Sequence, residues 1–307
     1  MEADYDTLAH AKQLFGEKPG FPGFARRPVE LPEARDAAGS GEEGGKLGGE
    51  ALASQGMALN DDLKAFIRRH AQEAMPNEAC GLIVKLPEGE AAIRCQNTAA
   101  YPDKNFRIHP RDFEAAERCG EVIACYHSHP YRPARATDED KTSSEACKLP
   151  FVILGWPTDT WGFYSPCGWR AQLLGRPFCH GVLDCYTLVR DYYHERLGIE
   201  LPDFYRDDLW WEKGEELFLD NFEKAGFVEV KDLQPHDGLL MQLPRHKVVC
   251  HAAIYIGDSH MMHHIPGRLS GVTVYTADAG YWARSTRKIV RHREMIERRL
   301  ARRPASC

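Results

Sequence analysis

The sequence predicts a two-domain protein of the α+β, mixed α/β class. The first domain is a mixed sheet flanked by helices. The second is an N-terminal helix packed on an antiparallel sheet. Three observations predict this. Strand-length apolar runs alternate with helical periodicity over residues 60–164. Gly175-Arg176-Pro177 then breaks the pattern. Beyond it, a helix opened by Asp184 precedes a hairpin at 251–265. With 307 residues, 43% hydrophobic and 27% charged, the chain has ordinary globular composition and room for two domains.

Taken in order, residues 1–56 read as an extension and linker. Pro19-Gly20-Phe21-Pro22-Gly23-Phe24 is turn-rich, and 36–56 is dominated by Gly, Ala, Ser and Glu. Asn60 is placed to cap a helix with Asp61 and Asp62 in its first turn. Leu63, Phe66, Ile67 and His70 repeat at helical spacing, and Pro76 stops the element. Strands are expected at 79–85 and 90–95, and a helix from Pro110 to Arg118. A strand at 121–126 leads into Tyr126-His127-Ser128-His129-Pro130. A helix from Thr137 carries Asp140, and strands at 150–155 and 160–164 complete the unit. In the second domain Asp184 caps a helix containing Cys185, Leu188, Val189 and Tyr192, ended by Gly198. The strand His251–Ile256, a turn at Gly257-Asp258-Ser259 and a return through His260–Ile265 form the hairpin. The domains are thus expected at 57–175 and 176–293, with a basic tail at 294–307.

Composition narrows the function. A net charge of −6 argues against a nucleic-acid partner, although Arg287 to Arg303 is strongly basic and reads as a solvated helix. No apolar run is long enough to span a bilayer, so no stable membrane insertion is expected. Met1-Glu2-Ala3-Asp4 lacks the build of a signal peptide, which points to a cytoplasmic start. The ten cysteines are irregularly spaced without a Cys-x-x-Cys pair, so buried thiols are expected in place of disulfides.

Two constellations carry chemistry. His127 and His129 share one face of an extended segment, and Asp140 can return on the following helix to close a trio. Two imidazoles and a carboxylate suit zinc and leave a fourth position open. Three-residue spacing puts Thr137 on the same helical face as Asp140. The bland alternative, two solvated loop histidines, leaves the apolar lead-in Val122-Ile123-Ala124-Cys125 unexplained. In the second domain, Cys185 at a helix start feels the positive end of the helix dipole, which favours thiolate. With His251 and a second histidine it makes a nucleophile, a base and an orienter. A three-residue hairpin loop brings His263 to the face of His251, whereas a two-residue loop selects His264. The bland alternative is a buried thiol beside hairpin histidines, and spacing alone does not separate the two. Trp210-Trp211 reads equally as groove lining or as packing.

Both constellations also resemble known families. His127, His129, Thr137 and Asp140, with Glu78 in Pro76-Asn77-Glu78-Ala79-Cys80-Gly81, resemble the JAMM (MPN-plus) metalloprotease signature, with Thr137 where that family has serine. The resemblance implies zinc held by His127, His129 and Asp140, Glu78 as general base, and Thr137 steadying the oxyanion. Gly181-Val182-Leu183-Asp184-Cys185 and His251-Ala252-Ala253-Ile254-Tyr255-Ile256-Gly257 resemble NlpC-type cysteine peptidases of papain-like fold. That resemblance implies Cys185, His251 and His263 as the catalytic set and bacterial cell-wall peptides as substrate. Phe178 lies where the family carries a tyrosine.

The order of the two domains over residues 57–293, with Leu201-Pro202-Asp203-Phe204 and His263-His264-Ile265-Pro266, resembles the tail tip assembly protein K family of long-tailed phages, for which Met57 is a natural start. Thr7–Lys12 and Phe21-Pro22-Gly23 faintly resemble the end of phage minor tail protein L, without its cysteines. The resemblance implies other phage tail tip proteins as partners. It also implies synthesis in the host cytoplasm and action in the periplasm on delivery by a tail tip. The competing expectation is a non-enzymatic assembly factor that keeps both folds as docking surfaces.

Overall fold

The computed structural model describes residues 59–301. The extension and linker at 1–56, the start at Met57 and the end of the basic tail lie outside them. The first unit runs α1 (Asp61–Ala74), β1 (Cys80–Leu86), β2 (Gly89–Cys95), α2 (Pro110–Cys119), β3 (Glu121–Pro130), α3 (Asp138–Cys147), β4 (Phe151–Trp156) and β5 (Thr160–Tyr164). Its five strands lie in the order β2-β1-β3-β4-β5, with β3 and β4 parallel and the other pairs antiparallel.

Helix α1 forms as expected. Asn60 accepts a hydrogen bond from the Leu63 N–H at 2.8 Å, a cap contributing about 1 kcal/mol. Leu63 and Ile67 bury against Ile83, Ala124, Tyr126, Val152 and Leu154 on one face of the sheet, each worth about 1.5–3 kcal/mol. The other face packs Leu82, Val84, Cys125 and Phe151 against Phe113 and Ala116 of α2. Two covered faces explain why β1 and β3 read as continuous apolar runs.

The second unit runs α4 (Cys185–Tyr192), a π-type turn over Tyr193–Leu197, α5 (Leu217–Asn221), β6 (Phe227–Val230), β7 (Gly238–Met241), β8 (His251–Gly257), β9 (His260–His263), β10 (Gly271–Val274), α6 (Gly280–Ser285), β11 (Thr286–His292) and α7 (Arg293–Ala301). Its six strands form a sheet in the order β10-β9-β8-β7-β11-β6, antiparallel throughout. Leu188, Val189 and Tyr192 of α4 bury against Leu240, Ala252, Ile254 and Met262 of the sheet. The basic segment at the end, expected as one solvated helix, divides: residues 287–292 lie in β11, and only α7 is helical and sits on this unit. Met295 packs against its core, and Arg298 donates to the Leu197 carbonyl at 2.7 Å.

Packing crosses the Gly175–Pro177 break. Ala171, Cys179, Val182 and Leu183 join the core beneath the first sheet. The loop after β2 also meets the second unit, where Arg107 pairs with Asp208 at 3.0 Å and the Ala100 N–H donates to Asp208 at 3.0 Å. Among the described residues no helix is long and apolar enough to cross a membrane, and all nine described cysteines are free thiols.

Candidate active sites

β3 continues through the His-x-His, four residues past the expected end, so both histidines sit on a strand inside the sheet. Period two then aims His127 and His129 at one face. His127, His129 and Asp140 are 0%, 2% and 5% exposed. His127 Nε2 lies 3.1 Å from His129 Nε2 and 3.0 Å from Asp140 Oδ1, and His129 Nε2 lies 3.4 Å from Asp140 Oδ2. A tetrahedral zinc with bonds near 2.0–2.1 Å needs ligand atoms about 3.3 Å apart, so the trio fits the ion. The donor chemistry agrees. His129 Nδ1 sits 2.9 Å from the Pro133 carbonyl, an acceptor, which leaves the Nε2 lone pair for a cation. The Pro133 loop reaches this position because β4 and β5 carry glycines beneath it. A Cβ on Gly162 would lie 1.7 Å from the Ala134 carbonyl oxygen, and one on Gly155 2.8 Å from that of Arg132.

Asp140 is held by the start of α3. Thr137 is its N-cap: Thr137 Oγ1 accepts from the Asp140 N–H at 3.1 Å and donates to Asp140 Oδ2 at 2.7 Å, and the Thr137 N–H donates to the same oxygen at 2.7 Å. A hydroxyl has one proton to donate. In this arrangement the Thr137 proton goes to Asp140, so it orients the carboxylate, in contrast to the oxyanion role expected for it. Burial opposes ionisation of Asp140, but His127 and His129 outweigh it and hold the carboxyl well below the usual range. Burial lowers the His127 pKa against the pull of Asp140.

Glu78 precedes β1. The β1–β3 register pairs Cys80 with His127, and continued by two residues it sets Glu78 opposite His129. Burial pushes its carboxyl well above the usual range, opposed by the charge of Arg132, whose guanidinium binds Oε1. Phe106 stacks on His127 at 4.6 Å. Arg132 and Phe106 come from irregular loops, where no periodicity marks them beforehand.

In the second unit Asp184 fixes the start of α4. It accepts from the Thr187 N–H at 2.9 Å, the Gly181 N–H at 3.0 Å and Arg206 Nε at 2.8 Å, while Thr187 Oγ1 accepts from the Asp184 N–H. Cys185, the first helical residue, is 9% exposed. Burial pushes its thiol up to about 12; the Asp184 carboxylate adds to this, against a backbone N–H from Ala252 and the charge of Arg206. The thiolate expected from the helix dipole is therefore not the resting form, because desolvation and the neighbouring carboxylate outweigh half a unit of positive charge.

The hairpin settles the histidine pairing in an unexpected way. Its turn has two residues, Asp258 and Ser259, with φ of 48° and 57°, the geometry of a primed turn. Without interruption this would set His264 opposite Ala253. A bulge at Ile256 shifts the register by one, so Ala253 faces His263. His251 Nε2 then lies 3.3 Å from His263 Nδ1, and Trp282 covers both rings, 6.2 and 4.6 Å away between centroids. Burial depresses His251 to about 3, with His263 and His264 adding to it, and burial depresses His263 to about 4. Cys185 and His251 line one cleft of about 90 Å³ with Phe178, Trp210, Trp211, Leu243, His246 and His264. Trp210 is also core, 2% exposed, so the tryptophan pair serves both packing and lining. His264, the alternative that a two-residue loop selects, is fully buried and lines the cysteine cleft, whereas Trp282 had no distinguishing sequence signal.

A mixed sheet presenting a His-His-Asp trio is followed by a helix-on-sheet unit presenting a cysteine and two histidines, and these are the two candidate sites of the chain. The family of prokaryotic homologs of the JAB domain matches residues 61–165, and the NlpC/P60 family matches residues 175–291. The tail tip assembly protein K of Escherichia phage N15 is 35% identical over 233 residues, 75% of this chain and 93% of that protein. Its namesake in Escherichia phage lambda is 41% identical over 186 residues, 60% of this chain and 88% of that protein. A JAB1/MPN domain protein from Archaeoglobus fulgidus, 20% identical, covers 36% of this chain and 90% of its own, with a TM-score of 0.26. The chain belongs to the tail tip assembly protein K family.

Proposed function

We propose that the chain is a bifunctional peptidase of phage tail assembly, with a zinc-dependent site in residues 57–175 and a cysteine site in residues 176–293. What supports this most is convergence: His127, His129 and Asp140 gather their ligand atoms at one buried point, and Cys185 shares a cleft with His251, far from it in sequence, which in turn contacts His263. His127, His129 and Asp140 would hold zinc, which supplies Lewis-acid activation of water for attack on a peptide or isopeptide carbonyl. Glu78, with its raised pKa and its place opposite His129, takes the proton from the attacking water and returns it to the leaving amine. Arg132 orients Glu78, and Thr137 acts through Asp140.

At the second site the resting pair is a neutral thiol and a neutral imidazole. On attack the Cys185 proton passes to His251 as sulfur bonds to the amide carbon, and His263 holds the imidazole. The amine leaves with that proton, and water hydrolyses the thioester. Cell-wall stem peptides are the proposed substrate, and other tail tip proteins the proposed partners. The protein is made in the bacterial cytoplasm and, carried on the tail tip, works in the periplasm. The test is incubation with purified cell wall and analysis of released peptides. Wild-type protein should release them, Cys185→Ala should not, and His127→Ala should release them unchanged. Equal release by wild type and Cys185→Ala would sink the reading.

A further inference from the structure

A second pocket, of about 340 Å³, adjoins the cysteine cleft and shares Leu243 and His246 with it. Its remaining walls are Gln242, Pro244, Arg245, Tyr281, Arg284, Ser285 and Arg287. Three arginines face it and no acidic residue lines it, in a chain whose net charge is −6. All three are exposed, and no ion pair neutralises any of them among the described residues. Single-sign charge in a concavity focuses potential and attracts the opposite charge.

The pocket is also built. The Gln242 N–H donates to the Ser285 carbonyl at 2.9 Å and Gln242 Nε2 to the His246 carbonyl at 2.8 Å. Gln242 Oε1 accepts from Arg287 Nε at 3.0 Å, and Arg287 Nη1 donates to the Arg284 carbonyl at 2.7 Å. One guanidinium is thus fixed with Nη2 uncommitted. Arg245 sits in the turn after β7 at φ 72°, a left-handed conformation that a non-glycine residue adopts at some cost. The same short helix α6 presses Trp282 onto His251 and His263 and turns Arg284 to the pocket.

We propose that Arg245, Arg284 and Arg287 form the subsite for a carboxylate of the peptide held in the cysteine cleft, so that this site selects acidic peptides. Planar guanidinium groups match carboxylates in a way that neutral amides cannot reproduce. The assignment rests on the peptidase reading of Cys185.

The experiment uses full-length Cys185→Ala protein, which binds without turnover, and a pair of stem tetrapeptides, one with free side-chain carboxylates and one amidated. Calorimetry should show the free-acid peptide binding more tightly and losing that advantage at high salt. Arg245→Gln and Arg284→Gln, at exposed positions whose guanidinium groups hold no other pocket wall, should each weaken it roughly tenfold and leave the amidated peptide and the melting temperature unchanged. Equal binding of the two peptides, no binding of either, or equal weakening of both would overturn the proposal. So would arginine-dependent binding of glycerol-phosphate polymer tighter than that of the free acid, which would assign the pocket to a phosphate-bearing wall polymer. Wild-type turnover is measured separately. If neither peptide is cleaved and Cys185 proves inert, the peptidase reading fails, while the binding arms still decide the pocket.

Discussion

The two sites hold their histidines by opposite means. At the first, two imidazole nitrogens crowd within 3.4 Å of a carboxylate that stays ionised despite burial. At the second, burial keeps Cys185, His251 and His263 neutral, and a 3.3 Å imidazole contact under an indole sets their geometry. A buried carboxylate flanked by two imidazoles is stabilised by a positive charge shared among them, a proton or a metal ion, whereas a buried neutral set needs none. The first should therefore answer to metal removal and the second to pH.

The largest expected effect is on metal content. Purified protein should carry about one zinc per chain, as a single three-ligand site requires. His129→Ala or Asp140→Ala should lose it, and Glu78→Gln should retain it, since a base opposite the trio need not bind the ion. Elemental analysis decides. Loss of zinc from Glu78→Gln as complete as that from His129→Ala would make Glu78 a ligand and dissolve the assigned division of roles.

Next comes thiol reactivity, where a neutral resting Cys185 makes a counterintuitive prediction. Cys119 and Cys167 are exposed. Iodoacetamide near neutral pH should label them before Cys185, and labelling of Cys185 should climb steeply above pH 9 as its raised pKa is approached. Mass-spectrometric mapping reads the order. First labelling at Cys185 would show a thiolate at rest and erase the contrast between the sites.

The pH dependence of stability follows with a definite sign. His251 and His263, near 3 and 4 in the folded chain against about 6.5 unfolded, resist protonation that the unfolded chain accepts. Their contribution is complete above pH 6.5 and is lost as pH falls from 6.5 towards 4. At about 1.4 kcal/mol per pKa unit, reduced for the solvent that screens the partly exposed His263, the loss should reach a few kcal/mol. Thermal melts across this range should show it, and His263→Asn should flatten the slope. A slope that His263→Asn leaves unchanged would mean that the histidines are already solvated.

Legibility in the sequence divides along the same line. The metal trio follows from local rules: period two on β3 aims both histidines, and the capping pattern Thr137-x-x-Asp140 places the carboxylate. The helix ends at Asn60 and Asp184 were equally local. The pairing of His263 with His251 was not, because it depends on a bulge at Ile256 that a run of apolar residues conceals. The protonation state of Cys185 was not either, since burial under β8 is a tertiary fact that overrides a helix-start argument. Arg132, Phe106 and Trp282 reach the sites from loops or a short helix, and nothing periodic announces them.

The smallest expected effect tests the join between local and tertiary order, at Thr137. Its hydroxyl both closes the cap of α3 and donates to the carboxylate that faces the histidines. Valine keeps the shape and removes both bonds. Thr137→Val should lower stability by about 1 kcal/mol, the usual loss for an N-cap, and weaken zinc binding roughly 10–100-fold, the usual penalty for losing a group that orients a ligand. Thr137→Ser keeps the hydroxyl and should restore both. Competition with a chelator measures the affinity, and denaturant unfolding of the metal-free chain measures the cap. A hydroxyl that served only a developing oxyanion would leave both equilibrium quantities untouched in Thr137→Val and slow turnover alone. That outcome would return Thr137 to the role first expected of it and leave the Asp140 carboxylate held by the Thr137 backbone N–H and the histidines.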